Sequence, residues 1–270
     1  MEIWQSIVLG LTQGLTEFLP VSSSGHLVFL QRIFHISSGG LFFNIILHLG
    51  TLVAVCAVFW KDIIDLFKKP YKTLLYLVVA SIPAAIIGVL LEDTIDELGE
   101  NFAYIGVLLA IFFLITASVL FATEIIAKRR KNELPLCWRT IIPMGLAQAV
   151  AVLPGISRSG STICAGTLAG GKSEDIAKFS FLMSIPIILG SFVFSLIKNL
   201  ANGKIQQDFI ENSGSYGACI ALGFIISAAV GLFAVKVMLK VIQKANYKWF
   251  SLYLLLLAIA CIVLQCCNLF

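Results

Sequence analysis

Runs of apolar residues long enough to cross a lipid bilayer dominate this chain and decide what it can fold into. A helix needs about 20 mostly apolar residues to traverse the hydrocarbon layer. Six stretches supply them, at roughly 41–60, 73–91, 102–127, 178–198, 216–241 and 249–267. Two further apolar stretches are interrupted. The first, roughly 3–31, breaks at Pro20 and continues through Ser22, Ser23, Ser24 and Gly25. The second, roughly 139–170, breaks at Pro154-Gly155 and continues through Ser157, Arg158, Ser159, Gly160 and Ser161. Each half is too short to span, so each stretch reads as a re-entrant helical hairpin. Such backbone is tolerated at membrane depth only where protein packs it or where it lines a wet cavity. The expected fold is all-α: a polytopic membrane protein with six transmembrane helices plus two re-entrant hairpins, in a single integral-membrane domain over 1–270.

Charge supports the same solvent. Charged residues are 13% of the chain, about half the ~25% of a soluble domain. The net charge of +4 is too small and too scattered for a nucleic-acid footprint. Seven cysteines, mostly inside apolar runs, form neither a disulfide framework nor a zinc spacing. Glu2 stands where a basic leader segment would begin, so no cleavable signal is expected. The longest polar connection is about 198–215, which leaves no room for a soluble domain. Any chemistry must sit in the membrane part.

The two broken stretches match at an offset of 135, half the chain length. Gly10, Leu11, Gln13, Ser22, Ser24 and Gly25 face Gly145, Leu146, Gln148, Ser157, Ser159 and Gly160, six identities in 18 positions. Each half, about 1–127 and about 136–270, is then one hairpin followed by three spans. A hairpin returns to its starting side and three spans do not, so the second half is upside down relative to the first. This is an inverted-topology repeat, the logic of membrane transporters. With that topology, 15 of the 19 Lys and Arg residues fall on one side and only Arg32, Lys198 and Lys204 on the other. The positive-inside rule makes the rich side cytoplasmic. Both termini and the acidic segment Glu92–Glu100 then face outward.

Ionisable groups inside the membrane are costly and are functional candidates. Glu17 is the one acid clearly inside an apolar segment, and Arg158 the one base. Gln13 shares a helix face with Glu17, four residues on. Ser22, Ser23, Ser24 and His26 follow the Pro20 break, at the start of a half-helix whose free N–H groups suit an anion. Ser157, Arg158, Ser159, Ser161 and Thr162 occupy the equivalent start in the second half. Inversion brings both starts together. One carboxylate, one imidazole, one guanidinium and several hydroxyls suit phosphoryl chemistry: arginine and helix dipoles neutralise phosphate, a hydroxyl attacks, and Glu or His moves the proton. Gln13 and Glu17 could also hold a divalent cation, magnesium or calcium, together with phosphate oxygens. Gly10 and Gly14 read as helix-packing residues. Asn44 and His48, four apart, either support the site or simply pair. Gly166 to Ser173 satisfies the P-loop pattern letter by letter. Its context is a half-helix, not a strand, so no nucleotide is expected.

Gln13-Gly-Leu-Thr-Glu17-Phe-Leu-Pro-Val-Ser-Ser-Ser-Gly-His26 and Pro154-Gly-Ile-Ser-Arg-Ser-Gly-Ser-Thr162 resemble the two signature motifs of the undecaprenyl-diphosphate phosphatase family, integral-membrane enzymes whose abundance confers bacitracin resistance. The resemblance extends over nearly the whole chain, including His48-Leu-Gly50. It implies hydrolysis of undecaprenyl diphosphate to undecaprenyl phosphate and inorganic phosphate, which recycles the lipid carrier for cell-wall polymers. It implies catalytic roles for Glu17, Ser22, Ser23, His26 and Arg158, with Ser23 the preferred nucleophile and Ser22 the second choice. Gln13, Ser24, Ser157, Ser159, Ser161 and Thr162 would bind substrate. Family members carry Glu or Gln where this chain has Gln13, which leaves Glu17 as the indispensable carboxylate. The implied partners are a polyprenyl diphosphate lipid and membrane lipids, with a homodimer admitted. The implied location is the bacterial cell (inner) membrane, outward-opening. The rival reading is a polyprenyl-phosphate transporter or flippase, which the same architecture would suit.

Overall fold

A computed structural model describes residues 1–36, 40–101, 104–129, 133–203, 214–243, 246–267 and 269–270. Arg130, Lys131, Lys204 and Lys244 of the charge count, and most of the 198–215 connection, lie outside the described residues. Among the described residues there are helices and one isolated bridge between Leu134 and Gly171, with no strand.

The first broken stretch is two short helices, α1 (Ile3–Thr16) and α2 (Ser23–Ile33). The second is α7 (Trp138–Val150) and α8 (Arg158–Leu168). In each pair the two helices pack against one another. Between them come α3 (Gly40–Val58), α4 (Trp60–Leu66), α5 (Lys72–Asn101) and α6 (Ile105–Arg129). The chain closes with α9 (Ser173–Ala201), α10 (Tyr216–Gln243) and α11 (Lys248–Cys266). Among the described residues, five helices are long and apolar enough to span by themselves, within α5, α6, α9, α10 and α11. The sixth candidate is α3 with α4, which bend by 79° at Phe59. The charged α4 begins with Trp60-Lys61-Asp62, so the bend falls where apolar sequence ends. Residues 92–100, expected as an acidic loop, continue α5 as helix. The apolar run marks the lipid boundary and not the helix end.

Lipid tails give apolar helices no reason to prefer one another, so close approach depends on small residues. A Cβ on Gly10 of α1 would lie 3.0 Å from the carbonyl oxygen of Gly223 on α10. One on Gly14 would meet Val230 at 2.7 Å. One on Gly50 of α3 would lie 2.6 Å from the Phe224 carbonyl oxygen of α10. In the other half, Gly145 of α7 sits against Ala80 of α5, with a Cβ 2.9 Å from its carbonyl oxygen. Thus each leading helix packs on the middle span of the opposite half. Helix α6 packs along α11, where the Ser251 hydroxyl donates to the Ala117 carbonyl at 2.8 Å.

Cation-bearing segments gather at one end. Lys178 pairs with Asp62 at 2.5 Å, Tyr76 stacks edge-on against Trp138 at 4.5 Å, and Glu124 accepts from Lys128 and from the Lys248 backbone. At the opposite end, the Ser6 hydroxyl donates to Cys219, and Phe270 lies against Phe29 at 5.6 Å.

Candidate active site at the hairpin tips

The two hairpin tips touch. A Cβ on Gly25 would lie 2.9 Å from the Gly155 Cα, and one on Gly160 would lie 3.2 Å from the Pro20 Cβ. The Ser159 hydroxyl donates across the junction to the Leu19 carbonyl at 2.9 Å. Gly155 has φ +99°, a left-handed turn that suits glycine and re-aims the chain into α8. Both short helices are capped alike: Ser22 accepts from the Gly25 N–H at 3.3 Å, and Ser157 from the Gly160 N–H at 3.0 Å. The neighbouring hydroxyl pairs match too, with Ser22–Ser24 and Ser157–Ser159 both at 3.4 Å.

This junction brings together residues 141 apart in sequence. Arg158 Nη2 donates to Glu17 Oε1 at 2.5 Å. The other carboxylate oxygen accepts from the Ser23 hydroxyl at 2.6 Å and from Gln13 Nε2 at 2.9 Å. His48 Nε2 approaches the same oxygen at 3.5 Å. Glu17 is 6% exposed and is held by groups from α1, α2, α3 and α8. Arg158 also reaches the Ser180 carbonyl at 3.4 Å.

A cavity of about 750 Å³ opens from these groups. Of the expected site residues, Glu17, Ser22, Ser23, Ser24, Ser157, Arg158 and Ser159 line it. It runs past Gln31 and Asn44 to Arg32, His35 and Phe270, the end opposite the cationic segments. Its lining also has an apolar part, with Ala84, Val152, Ile187, Ile188 and Phe192.

Four expected residues stand off the cavity wall. Gln13 is fully buried behind Glu17 and orients it. His26 is committed elsewhere: Nδ1 pairs with the Ser22 carbonyl at 2.7 Å and Nε2 with the Tyr253 hydroxyl at 2.7 Å, over a stacked ring. A carbonyl partner requires the proton on Nδ1, so Nε2 accepts from tyrosine. His26 thus steadies the tip and has no contact with Glu17. Thr162 bonds Ser180 at 2.6 Å inside the protein. Ser161 is half-buried and contributes its backbone N–H to the Ser157 carbonyl at 2.8 Å. The glycines of the P-loop-like run are closed onto Ile176, with would-be Cβ contacts of 2.7 Å at Gly166 and 2.5 Å at Gly171.

Sequence reasoning left His48 open between two roles. The structure turns it to Glu17, with Nδ1 fixed on the Asn44 carbonyl at 2.7 Å. Its i, i+4 spacing from Asn44 was the available signal. Gln148, quoted only as a repeat match, lines the cavity as well. Tyr253 carries no local signal.

Among the described residues no three His, Cys, Asp or Glu side chains converge on a metal. A hard cation could use oxygens instead. Gln13 Oε1 is buried beside Glu17 with no hydrogen-bond partner, and amide plus carboxylate oxygen is a donor set magnesium or calcium accepts when phosphate completes it.

The chain matches the model of the family described as bacitracin resistance protein BacA over residues 6–260. It is 40% identical over 275 residues to an undecaprenyl-diphosphatase of Carboxydothermus hydrogenoformans, covering 100% of both chains. It is 39% identical to the protein of that name from Caldicellulosiruptor bescii, over 96% of each chain. A third, from Methanobrevibacter smithii, is 37% identical over 94% of each chain. With motifs, helices and full-length similarity in agreement, this chain belongs to the BacA bacitracin resistance family.

Proposed function

We propose that this chain hydrolyses undecaprenyl diphosphate to undecaprenyl phosphate and inorganic phosphate, recycling a cell-wall lipid carrier and conferring bacitracin resistance. One observation carries the reading: a serine hydroxyl and a guanidinium from opposite hairpins meet on one buried carboxylate. Family membership and the names of the relatives agree with it.

The diphosphate enters the cavity with its terminal phosphate at Arg158 and at the N–H groups of α2 and α8. Phosphate competes with Glu17 for the guanidinium and frees the carboxylate. Glu17 takes the Ser23 proton as Oγ bonds to the terminal phosphorus, the bond from that phosphorus to the bridging oxygen breaks, and Glu17 passes the proton to that departing oxygen and is a carboxylate again. Lipid monophosphate leaves. Water, deprotonated by Glu17, then attacks the phosphoserine; the Ser23–phosphorus bond breaks, the proton returns to serine, and inorganic phosphate departs. Ser22 is the weaker nucleophile because its hydroxyl oxygen is occupied as a helix cap. Gln13 and Glu17 would hold a magnesium or calcium ion, whose chemistry when bound is to offset phosphate charge.

The halves 1–127 and 136–270 form the inverted repeat. The support is reciprocal packing, α1 on α10 and α7 on α5, between glycines that align at the 135-residue offset. The protein sits in the cell membrane with its cationic end in the cytoplasm, both termini outside and the cavity opening outward. Detergent-purified protein releases orthophosphate from a polyprenyl diphosphate, and Ser23→Ala lowers the rate at least ~100-fold. Chelator suppresses release and added magnesium or calcium restores it. A silent wild-type protein would point to the transporter reading; an active Ser23→Ala would remove the nucleophile.

A further inference from the structure

The second hairpin carries a polar group with nothing to bond. Gln148 lies in the last turn of α7, is 1% exposed and lines the cavity. Neither its amide nitrogen nor its amide oxygen has a hydrogen-bond partner. An unpaired buried amide is destabilising by itself, so its place on a cavity wall asks for a ligand.

The repeat explains how it came to be unpaired. Gln148 occupies the slot of Gln13 at the 135-residue offset, and Gln13 donates to Glu17 four residues on. Four residues after Gln148 stands Val152, which also lines the cavity. The second hairpin keeps the amide and lacks the carboxylate. Its side of the cavity therefore offers donors to an anion without the negative charge that Glu17 presents on the other. Apolar Ile187, Ile188 and Phe192 line the same cavity.

We propose that the Gln148 amide binds the phosphate that stays on the lipid, beside the apolar wall that receives the first isoprene units. The site is then divided: Glu17, Ser23 and Arg158 handle the phosphate that leaves, and Gln148 donates through its NH₂ to the phosphate that remains. This rests on the phosphatase reading above.

The test is Gln148→Leu, which keeps the volume and removes the polar atoms. Loss of one hydrogen bond to a charged group is expected to raise KM for a polyprenyl diphosphate by about 10- to 100-fold with kcat little changed. Product inhibition by polyprenyl monophosphate should weaken by the same factor, while inhibition by orthophosphate stays as in wild type. A merely structural role would not separate the two inhibitors. Gln148→Glu keeps the shape and adds a charge, so it should weaken monophosphate inhibition further than Leu does. Unchanged KM, equal weakening toward both inhibitors, or loss of fold in both variants overturns the assignment, because an amide without partners is dispensable to folding. Wild-type protein that releases no phosphate sinks the underlying function instead, and the two failures are distinguishable in one assay.

Discussion

Removing one partner of the Glu17–Arg158 pair tests the junction on which the site depends. The two side chains are 5% and 15% exposed, so water screens neither well. Breaking such a pair by deleting one member costs about 3–5 kcal/mol, because the survivor stays charged in a poor solvent. The survivors here differ. In Arg158→Ala, Glu17 keeps its donors from Ser23 at 2.6 Å and Gln13 at 2.9 Å. That places the loss at the low end, about 3 kcal/mol. In Glu17→Gln the guanidinium keeps an amide oxygen to bond and the Ser180 carbonyl at 3.4 Å, for a loss of about 2 kcal/mol. The double variant removes both charges and should lose about 3 kcal/mol, well short of the roughly 5 expected from addition, a coupling of about 2 kcal/mol. The assay is equilibrium unfolding in mixed micelles followed by tryptophan fluorescence, on wild type, both singles and the double. Activity is no guide, since every variant is expected to be inactive. Coupling below about 0.5 kcal/mol, the scatter of independent sites, would mean that the two side chains do not meet.

Gly25→Ala should part the hairpin tips, because the new Cβ would lie 2.9 Å from the Gly155 Cα and 2.6 Å from the buried Phe113 ring. Phosphate release should fall at least about tenfold, since small displacements of reacting groups are costly, with helix content by circular dichroism unchanged; normal turnover would contradict the contact. Ser22 has φ 67°, a conformation that glycine adopts freely and alanine does not. Both Ser22→Ala and Ser22→Gly lose the cap, yet the glycine variant should be the more stable by about 1 kcal/mol in unfolding; the reverse order would deny the backbone conformation.

The breaks in both hairpins were legible because Pro20 and Pro154-Gly155 are each followed by a serine–glycine cluster; proline alone does not end a helix here, since Pro83, Pro143 and Pro186 lie inside α5, α7 and α9. The helices stop earlier than the breaks, α1 at Thr16 ahead of Pro20 and α7 at Val150 ahead of Pro154. Proline has no N–H for the carbonyl four residues back, which is Thr16 for Pro20 and Val150 for Pro154, so the last regular turn closes there. The bend at Phe59 was only half legible: the run 41–60 ends one residue past it, but the end of an apolar run does not say that the chain turns there. Glu17 and Arg158 stood out because charge within an apolar stretch is rare. The rotation of each histidine did not. His26 sits in the motif yet turns to Tyr253, and His48 sits in a span yet turns to Glu17. Which face a residue presents is decided by the helix packed against it, and that partner is far away in sequence.

What the two hairpins share and what they divide are different things, and the difference explains the chemistry. They share the cap serines, the following glycine and the neighbouring hydroxyl, with the same hydrogen bonds in both though the Ser22 backbone has positive φ and that of Ser157 does not. They divide two slots: Glu17 aligns with Val152, and Ser23 with Arg158. Equal halves could not make this site. Two glutamates would repel each other and the phosphate; an arginine in place of Ser23 would remove the hydroxyl that bonds Glu17. With one of each, the guanidinium of one half neutralises the carboxylate of the other until phosphate arrives to replace it. The scaffold needs the repeat, because two helix starts must converge on one anion, and the reaction needs the repeat to be broken, at those two slots, because donor and acceptor of the proton must be different groups.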